Sequence, residues 1–237
     1  MAWITRPPIR TRTPGGTVMY DPSIAALTFG DFKWTGDFTT IDLIAASTNA
    51  LNGALLARRP DHSRGFTITG ILLMAMLGGI GGGITRDVLV NDVPGALTNP
   101  AYILLCLIFG VVGYSVSYAS GQLFREGVFQ FMTAFSLPWY AIAGAQKGVD
   151  ASIPILGCLL LAVVGPTAGR FYIDIVCGVT PKQFVRSEWF VGTALLTGAV
   201  WILMYWIGLG TWGAAGVAFL TGFAFRLTAM FLSLINI

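Results

Sequence analysis

The stretch GGIGGGITRD, residues 78–87, places five glycines in six positions within an apolar run and follows them with Arg86 and Asp87. Each glycine lowers helix propensity by about 1 kcal/mol relative to alanine in water, so the run favours a kink or a local unwinding of a helix. Two glycine pairs also have the four-residue spacing that lets membrane helices pack closely. These pairs are Gly78 with Gly82, and Gly79 with Gly83.

The composition indicates that this stretch lies in a membrane. Of 237 residues, 55% are hydrophobic and 11% are charged, whereas soluble domains carry roughly 25% charged residues. The mean hydropathy is +0.74. The net charge of +3 is small and dispersed, so nothing favours nucleic-acid binding. We therefore expect an all-α, multi-pass membrane protein.

Residues that carry catalysis or bind metals are sparse. The three cysteines lie in apolar stretches, without CxxC spacing and without a cluster around the lone His62. GGIGGGITRD fits neither GxGxxG nor GxxxxGK[ST] in register, and no HExxH motif occurs. The sequence therefore predicts no enzyme activity, no metal site and no cofactor.

Apolar segments of membrane-spanning length follow one another along the chain. A bilayer core of about 30 Å requires about 20 apolar residues per helix. Seven segments meet this requirement, at residues 39–57, 67–90, 101–119, 128–146, 153–177, 189–208 and 213–235. Pro138 interrupts the fourth segment, and residues 1–37 form a predicted polar N-terminal tail.

Basic residues concentrate in the loops after segments 1, 3 and 5. Because lysine and arginine favour cytoplasmic loops, the N-terminus is predicted outside and the C-terminus in the cytoplasm. The residues concerned are Arg58, Arg59, Arg64, Arg125, Lys182 and Arg186.

The glycine motif has a second copy. Residues 78–94 align with 165–181 at a constant offset of 87, which matches four residue pairs. The pairs are Gly78 with Gly165, Gly82 with Gly169, Asp87 with Asp174, and Pro94 with Pro181. Segments 1–3 (residues 38–120) are therefore predicted to recur as segments 4–6 (121–208) with inverted topology, and residues 209–237 supply a seventh helix. Inverted repeats are typical of transport proteins, with the site at the repeat interface.

Charged residues accompany both glycine motifs. A charge at the bilayer centre costs about 2.5–3.5 kcal/mol on insertion scales, so these side chains are not expected to face lipid. They are Arg86, Asp87, Arg170 and Asp174. Pro166 predicts a helix break in the second copy, at the position that aligns with the glycine run of the first copy. We expect these charges to line an aqueous path, and the alternative is an ion-pair lock between helices. Arg226 in segment 7 and Lys147 at the end of segment 4 are further candidates, while Asp42 is expected near the outer end of segment 1.

The motifs GGIGGGITRDVL, NDVP and AGAQKG, with the diverged second glycine motif, resemble the trimeric intracellular cation (TRIC) channel family in its prokaryotic branch. The resemblance implies seven helices, a homotrimer among membrane lipids, and a path for potassium and sodium in each protomer. It implies that the glycine-bearing helices are kinked and line this path, and that Lys147 takes part in gating. This chain departs from the pattern because Arg170 aligns with Gly83, and Ile173 with Arg86.

Two transport functions are consistent with the sequence. The first is a monovalent cation channel in the plasma membrane of a prokaryote, although arginines near a pore repel cations. The second is a secondary transporter for a small zwitterion such as glycine, whose carboxylate and ammonium suit an Arg/Asp pair. A scaffold without transport leaves the charged breaks unexplained.

Overall fold

The computed structural model describes residues 37–59, 62, 65–119, 122–181, 183–184 and 189–235. Within these ranges the chain forms α-helices and no strands, which confirms the all-α class. The helices are α1 (Asp37–Leu56), α2 (Ile68–Leu89), α3 (Gly95–Thr98), α4 (Ala101–Ala119), α5 (Gln122–Asp150), α6 (Ile155–Val176), α7 (Phe190–Trp206) and α8 (Gly210–Ile235). The predicted N-terminal tail lies outside the described residues, except for Asp37 at the start of α1.

Each predicted apolar segment coincides with one long helix. α3 is a four-residue helix that the sequence analysis did not predict, and α5 extends to 29 residues with Pro138 inside it. Among the described residues, three stretches are long and apolar enough to cross a membrane by length and composition, namely Ile68–Leu89, Ile155–Val176 and Gly210–Met230. The number of seven spans stays a prediction.

The two glycine motifs do not unwind their helices. α2 is continuous through residues 78–83, and α6 is continuous through Pro166, so the prediction of local unwinding or of a break in the helix is wrong. The physical reason is that backbone groups at membrane depth must stay hydrogen-bonded, and the helix itself provides the partners. A kink of either helix stays a prediction.

The glycines instead allow α2 and α6 to cross with their backbones in contact. A Cβ atom built on Gly82 would overlap the carbonyl oxygen of Gly165. A Cβ atom on Gly169 would lie 2.8 Å from the carbonyl oxygen of Leu77 and 2.9 Å from that of Gly78. Both distances are shorter than real Cβ atoms tolerate. Glycine is therefore required here for close approach, the use that small residues have in membrane helix interfaces.

Helices α1 and α5 take up corresponding positions against α2 and α6. A Cβ atom on Gly78 would lie 2.7 Å from the carbonyl oxygen of Asn49 in α1. A Cβ atom on Gly165, which aligns with Gly78, would lie 3.1 Å from the carbonyl oxygen of Tyr140 in α5. α1 packs against α2, α4 and α5, whereas α5 packs against α6, α7 and α8. At the crossing, α2 therefore packs against α1 through Gly78 in the same way that α6 packs against α5 through Gly165.

Candidate functional site

The crossing of α2 and α6 brings two aligned polar residues together. The hydroxyl oxygens of Thr85 and Tyr172 are 2.7 Å apart. The Thr85 hydroxyl donates to the carbonyl oxygen of Gly81 at 2.8 Å, so its oxygen accepts the Tyr172 proton. These residues are 87 positions apart, which is the offset of the sequence alignment. Equivalent positions of the two glycine motifs thus meet at one point.

Arg86 lies between the carboxylates of Asp42 and Asp87. We call these three side chains and the groups that donate hydrogen bonds to the two carboxylates the α2 network. The Nη1 and Nη2 atoms of Arg86 donate to the two oxygens of Asp42 at 2.7 and 3.0 Å. Its Nε and Nη2 atoms donate to Oδ1 of Asp87 at 3.0 and 2.9 Å. Arg86 is 0% exposed, and both carboxylates are buried. The network satisfies a guanidinium that could not lie unpaired in this environment.

Neighbouring groups complete the α2 network. The Tyr102 hydroxyl donates to Oδ2 of Asp42 at 2.8 Å, and the backbone N–H of Gly95 donates to Oδ2 of Asp87 at 3.0 Å. Gly95 begins α3, which folds back beside the end of α2 and thereby supplies this donor. All four carboxylate oxygens of the two aspartates therefore accept hydrogen bonds.

Lys147, near the end of α5, forms a partly exposed bridge beside the α2 network. Its Nζ atom lies 2.5 Å from Oδ2 of Asp92 and 3.8 Å from Oδ1 of Asp87. Asp92 lies in the loop after α2 and is the more exposed partner. The hydrogen bond from Lys147 holds the pKa of the Asp92 carboxyl below its usual value. This pair links the end of α5 to the end of α2.

A small cavity adjoins the α2 network. Its volume is about 10 Å³, and its lining includes Asp42, Asp87, Tyr102, Tyr140 and Gly83. A space of this size holds about one water molecule.

A second set of ion pairs, the α6 network, surrounds Asp174. The Nε atom of Arg170 donates to Oδ1 of Asp174 at 2.7 Å, as the four-residue spacing on one helix predicts. Nε2 of His62 lies 2.9 Å from the same oxygen, and both His62 and Asp174 are 0% exposed. The guanidinium of Arg170 also lies over the ring of Phe129, at 5.7 Å. The α6 network thus connects α6 to the loop after α1.

The two networks lie at opposite ends of α1. Asp42 is near the first residue of α1, and His62 follows its last residue. At a rise of about 1.5 Å per residue, residues 42 and 56 are separated by about 20 Å. Asp87 and Asp174, which are aligned in the sequence, therefore belong to networks on two different sides of the helix bundle.

The other predicted residues have different surroundings. Arg226 in α8 is buried and lies 5.4 Å from the ring centre of Phe190. The cysteines are buried and unbonded to each other, and the part of the chain described contains no group of three metal-binding side chains.

Several partners in these networks were not identified as site residues from the sequence. The sequence predicts only a position near the outer end of segment 1 for Asp42, no role for Tyr102, and no metal cluster around His62. A carboxylate in an apolar segment was the available signal for Asp42, because such a group requires a partner. Tyr102 and His62 gave no comparable signal, since their roles depend on which helix or loop packs beside the aspartates.

Fold, hydropathy and buried ion pairs define an all-α, multi-pass membrane protein. Comparison with known proteins identifies its family. The chain belongs to the family described as Glycine transporter, whose model matches residues 39–118 and 130–206. A UPF0126 membrane protein of Deinococcus radiodurans is 26% identical over 168 residues, which cover 69% of this chain and 74% of that protein. A UPF0126 membrane protein of Vibrio cholerae is 30% identical over 82 residues, covering 30% of this chain and 34% of that one.

Solved structures show the same fold. The TRIC trimeric intracellular cation channel orthologue from Rhodobacter sphaeroides aligns with a TM-score of 0.74 at 24% identity, covering 83% of this chain and 98% of that one. A prokaryotic TRIC channel crystallised in 0.5 M KCl aligns with a TM-score of 0.73 at 20% identity, covering 83% and 97%. The resemblance to the TRIC family drawn from the sequence is thereby confirmed.

Proposed function

We propose that this protein is a channel for monovalent cations, potassium and sodium, with one path in each protomer of a homotrimer. The observation that carries the proposal is the TRIC channel fold, which matches nearly the whole length of two cation channels. The path follows the crossing of α2 and α6, where the two glycine motifs meet, and the α2 network and the α6 network lie toward opposite ends of α1. Gly82 with Gly165, and Gly169 with Gly78, make the close backbone contacts of this crossing. Gly79 instead packs against α1 and α4, and we assign Gly83 and Pro166, on the same two helices, to the lining of the path.

Pairing of the arginines removes the main physical objection to cation conduction. Arg86 contacts two carboxylates, and Arg170 contacts Asp174 at 2.7 Å. A paired guanidinium repels a passing cation less than an isolated one, because the field of the pair falls off faster. Opening requires the helices to move, since the cavity beside the α2 network holds about one water molecule. Lys147 bridges α5 and the end of α2, which suits a role in that movement.

The proposed architecture comprises seven membrane spans in two inverted three-helix repeats, with α8 as the seventh span. The matching contacts of Gly78 with Asn49 and of Gly165 with Tyr140 support the duplication. The position of the two networks at opposite ends of α1 supports the inversion. We place the protein in a prokaryotic plasma membrane, surrounded by lipid, with the N-terminus outside and the C-terminus in the cytoplasm.

Transport of glycine is the second candidate, favoured by the description of the family model. A zwitterion requires an accessible cation for its carboxylate. Four of the five N–H groups of Arg86 already donate to Asp42 or Asp87, so a carboxylate ligand that bound through two N–H groups would have to displace one of these side chains. The network therefore favours the channel.

Recording from the purified protein in planar bilayers tests the proposal. We expect discrete steps of several picoamperes, carried by potassium and sodium, which exceed the turnover of an alternating-access transporter. Saturable uptake of labelled glycine into liposomes, together with silent bilayers, would establish the second candidate instead. Mass measurement in nanodiscs tests the trimer, and a stable monomer would refute that part of the proposal.

A further inference from the structure

We infer that Asp42 of α1 is a specificity-determining residue, because it makes the α2 network negative and so gives the path its preference for cations over anions. This inference rests on the proposed channel function. It assigns a role to a residue on a helix that contributes neither glycine motif.

The contacts of Arg86 show why the contribution of Asp42 is distinct. The Asp87 carboxylate alone would make a neutral pair with Arg86 through two hydrogen bonds to Oδ1. Asp42 adds a second carboxylate, which meets the guanidinium through both of its oxygens. Two carboxylates and one guanidinium carry a formal charge of −1. Tyr102, a neutral donor, stabilises Oδ2 of Asp42 without changing that charge.

Among the described residues, the remaining charges nearby do not cancel this excess. Lys147 is 2.5 Å from Asp92 and 3.8 Å from Asp87. Lys147 and Asp92 thus form a neutral pair on the exposed side of the network. The five charged side chains described in this cluster carry three negative and two positive charges. Removal of the Asp42 charge would leave the cluster neutral.

The excess charge borders the proposed path. The small cavity beside the network is lined by both carboxylates and by Gly83 of α2. In a site of low dielectric constant, a unit charge within several ångströms of an ion changes the energy of that ion more than it would in bulk water. The sign of the network therefore discriminates between cations and anions that approach this point.

Charge-matched variants separate this role from a purely structural one. Asp42→Asn changes the network from −1 to 0, Arg86→Gln changes it to −2, and the double variant restores −1. We expect the potassium-to-chloride permeability ratio to fall about tenfold in Asp42→Asn, equivalent to about 1.4 kcal/mol. We expect it to rise in Arg86→Gln and to return close to the wild-type ratio in the double variant.

Reversal potentials under a potassium chloride gradient measure these ratios, on protein that elutes as one species and retains its thermal transition. An unchanged ratio in folded Asp42→Asn overturns the inference and leaves the channel function intact. A double variant whose permeability ratio is as low as that of Asp42→Asn also overturns the inference, since the network would then act through its shape and not through its charge. If Asp42→Asn does not fold, Arg86→Gln and the double variant decide, and equal ratios in these two overturn the inference. A wild-type protein that passes no ions refutes the channel function itself.

Discussion

The backbone contact between α2 and α6 makes Gly82 far more sensitive to substitution than its neighbour Gly83. A Cβ atom on Gly82 would overlap the carbonyl oxygen of Gly165, which belongs to a rigid helix. The two backbones would have to separate by about 1 Å or more, and overpacking of this kind costs about 1–3 kcal/mol. We expect Gly82→Ala to reach the upper end of that range, because no flexible side chain can move aside.

Gly83→Ala is the matched control. Its Cβ atom would lie 3.9 Å from Nη2 of Arg86 and 3.9 Å from the Tyr140 hydroxyl, which is ordinary contact. Replacement of glycine by alanine in a helix contributes up to about 1 kcal/mol of stability in water, so this variant should be neutral or slightly stabilised. The two variants differ by one position and make the same chemical change.

Thermal unfolding in one detergent, followed by intrinsic fluorescence, measures the difference. For a chain of this size 1 kcal/mol corresponds to about 2–4 °C, so Gly82→Ala should lower the midpoint by about 6–12 °C. Gly83→Ala should leave it unchanged or raise it by a few degrees. Equal midpoints for the two variants would refute the reasoning, because the glycines would then serve flexibility and not close approach.

Three other changes test the helix crossing and the ion pairs through the same measurement. Tyr172→Phe should cost about 1 kcal/mol, because it removes the hydrogen bond across the crossing while its partner keeps a backbone acceptor; an unchanged midpoint would show that this bond contributes nothing. Asp92→Asn should cost no more than about 1 kcal/mol, because its bridge to Lys147 is partly exposed. The pKa of Asp92 is lowered in the folded protein, so the bridge stabilises the fold only when Asp92 is ionised. The difference in midpoint between wild type and Asp92→Asn should therefore be complete above the usual carboxyl pKa and vanish as the pH falls through the lowered pKa; a pH-independent difference would contradict this. His62→Ala should cost more than Asp92→Asn, about 1–3 kcal/mol, because it removes a fully buried partner of Asp174; a smaller cost would show that the buried contact is not stabilising.

Local patterns in the sequence were sufficient to predict the long helices. Apolar length and turn residues located the helices to within a few residues at most ends, because both signals are local. α5 was the exception, since Pro138 suggested an interruption that the helix does not have. Pro138 lacks only one donor, and membrane helices tolerate this where neighbouring groups compensate. α3 was missed because four residues carry no periodic signal.

The ion networks were only partly predictable. The pairing of Arg170 with Asp174 follows from their spacing on one helix, and the structure confirms it. The contact of Arg86 with Asp42 joins residues 44 positions apart, and that of His62 with Asp174 joins residues 112 apart. Contacts of this range depend on the packing of whole helices. The glycine run predicts a break because helix propensity is a local property, whereas its packing role depends on Gly165 in another helix.

The aligned aspartates show where the two glycine motifs differ in chemistry. In α2, Gly83 has no side chain to reach Asp87, and the guanidinium near Asp87 comes from Arg86. In α6 the residue aligned with Gly83 is Arg170, whose guanidinium reaches Asp174 directly. Arg86 also requires Asp42, which leaves the α2 network with an excess carboxylate, whereas the described partners of Asp174 are Arg170 and His62. A helix crossing with matching backbone contacts thus has a network with two carboxylates at one end of α1 and, among the described residues, a network with one carboxylate at the other. In the proposed channel, an ion that enters from the two sides would meet different charges.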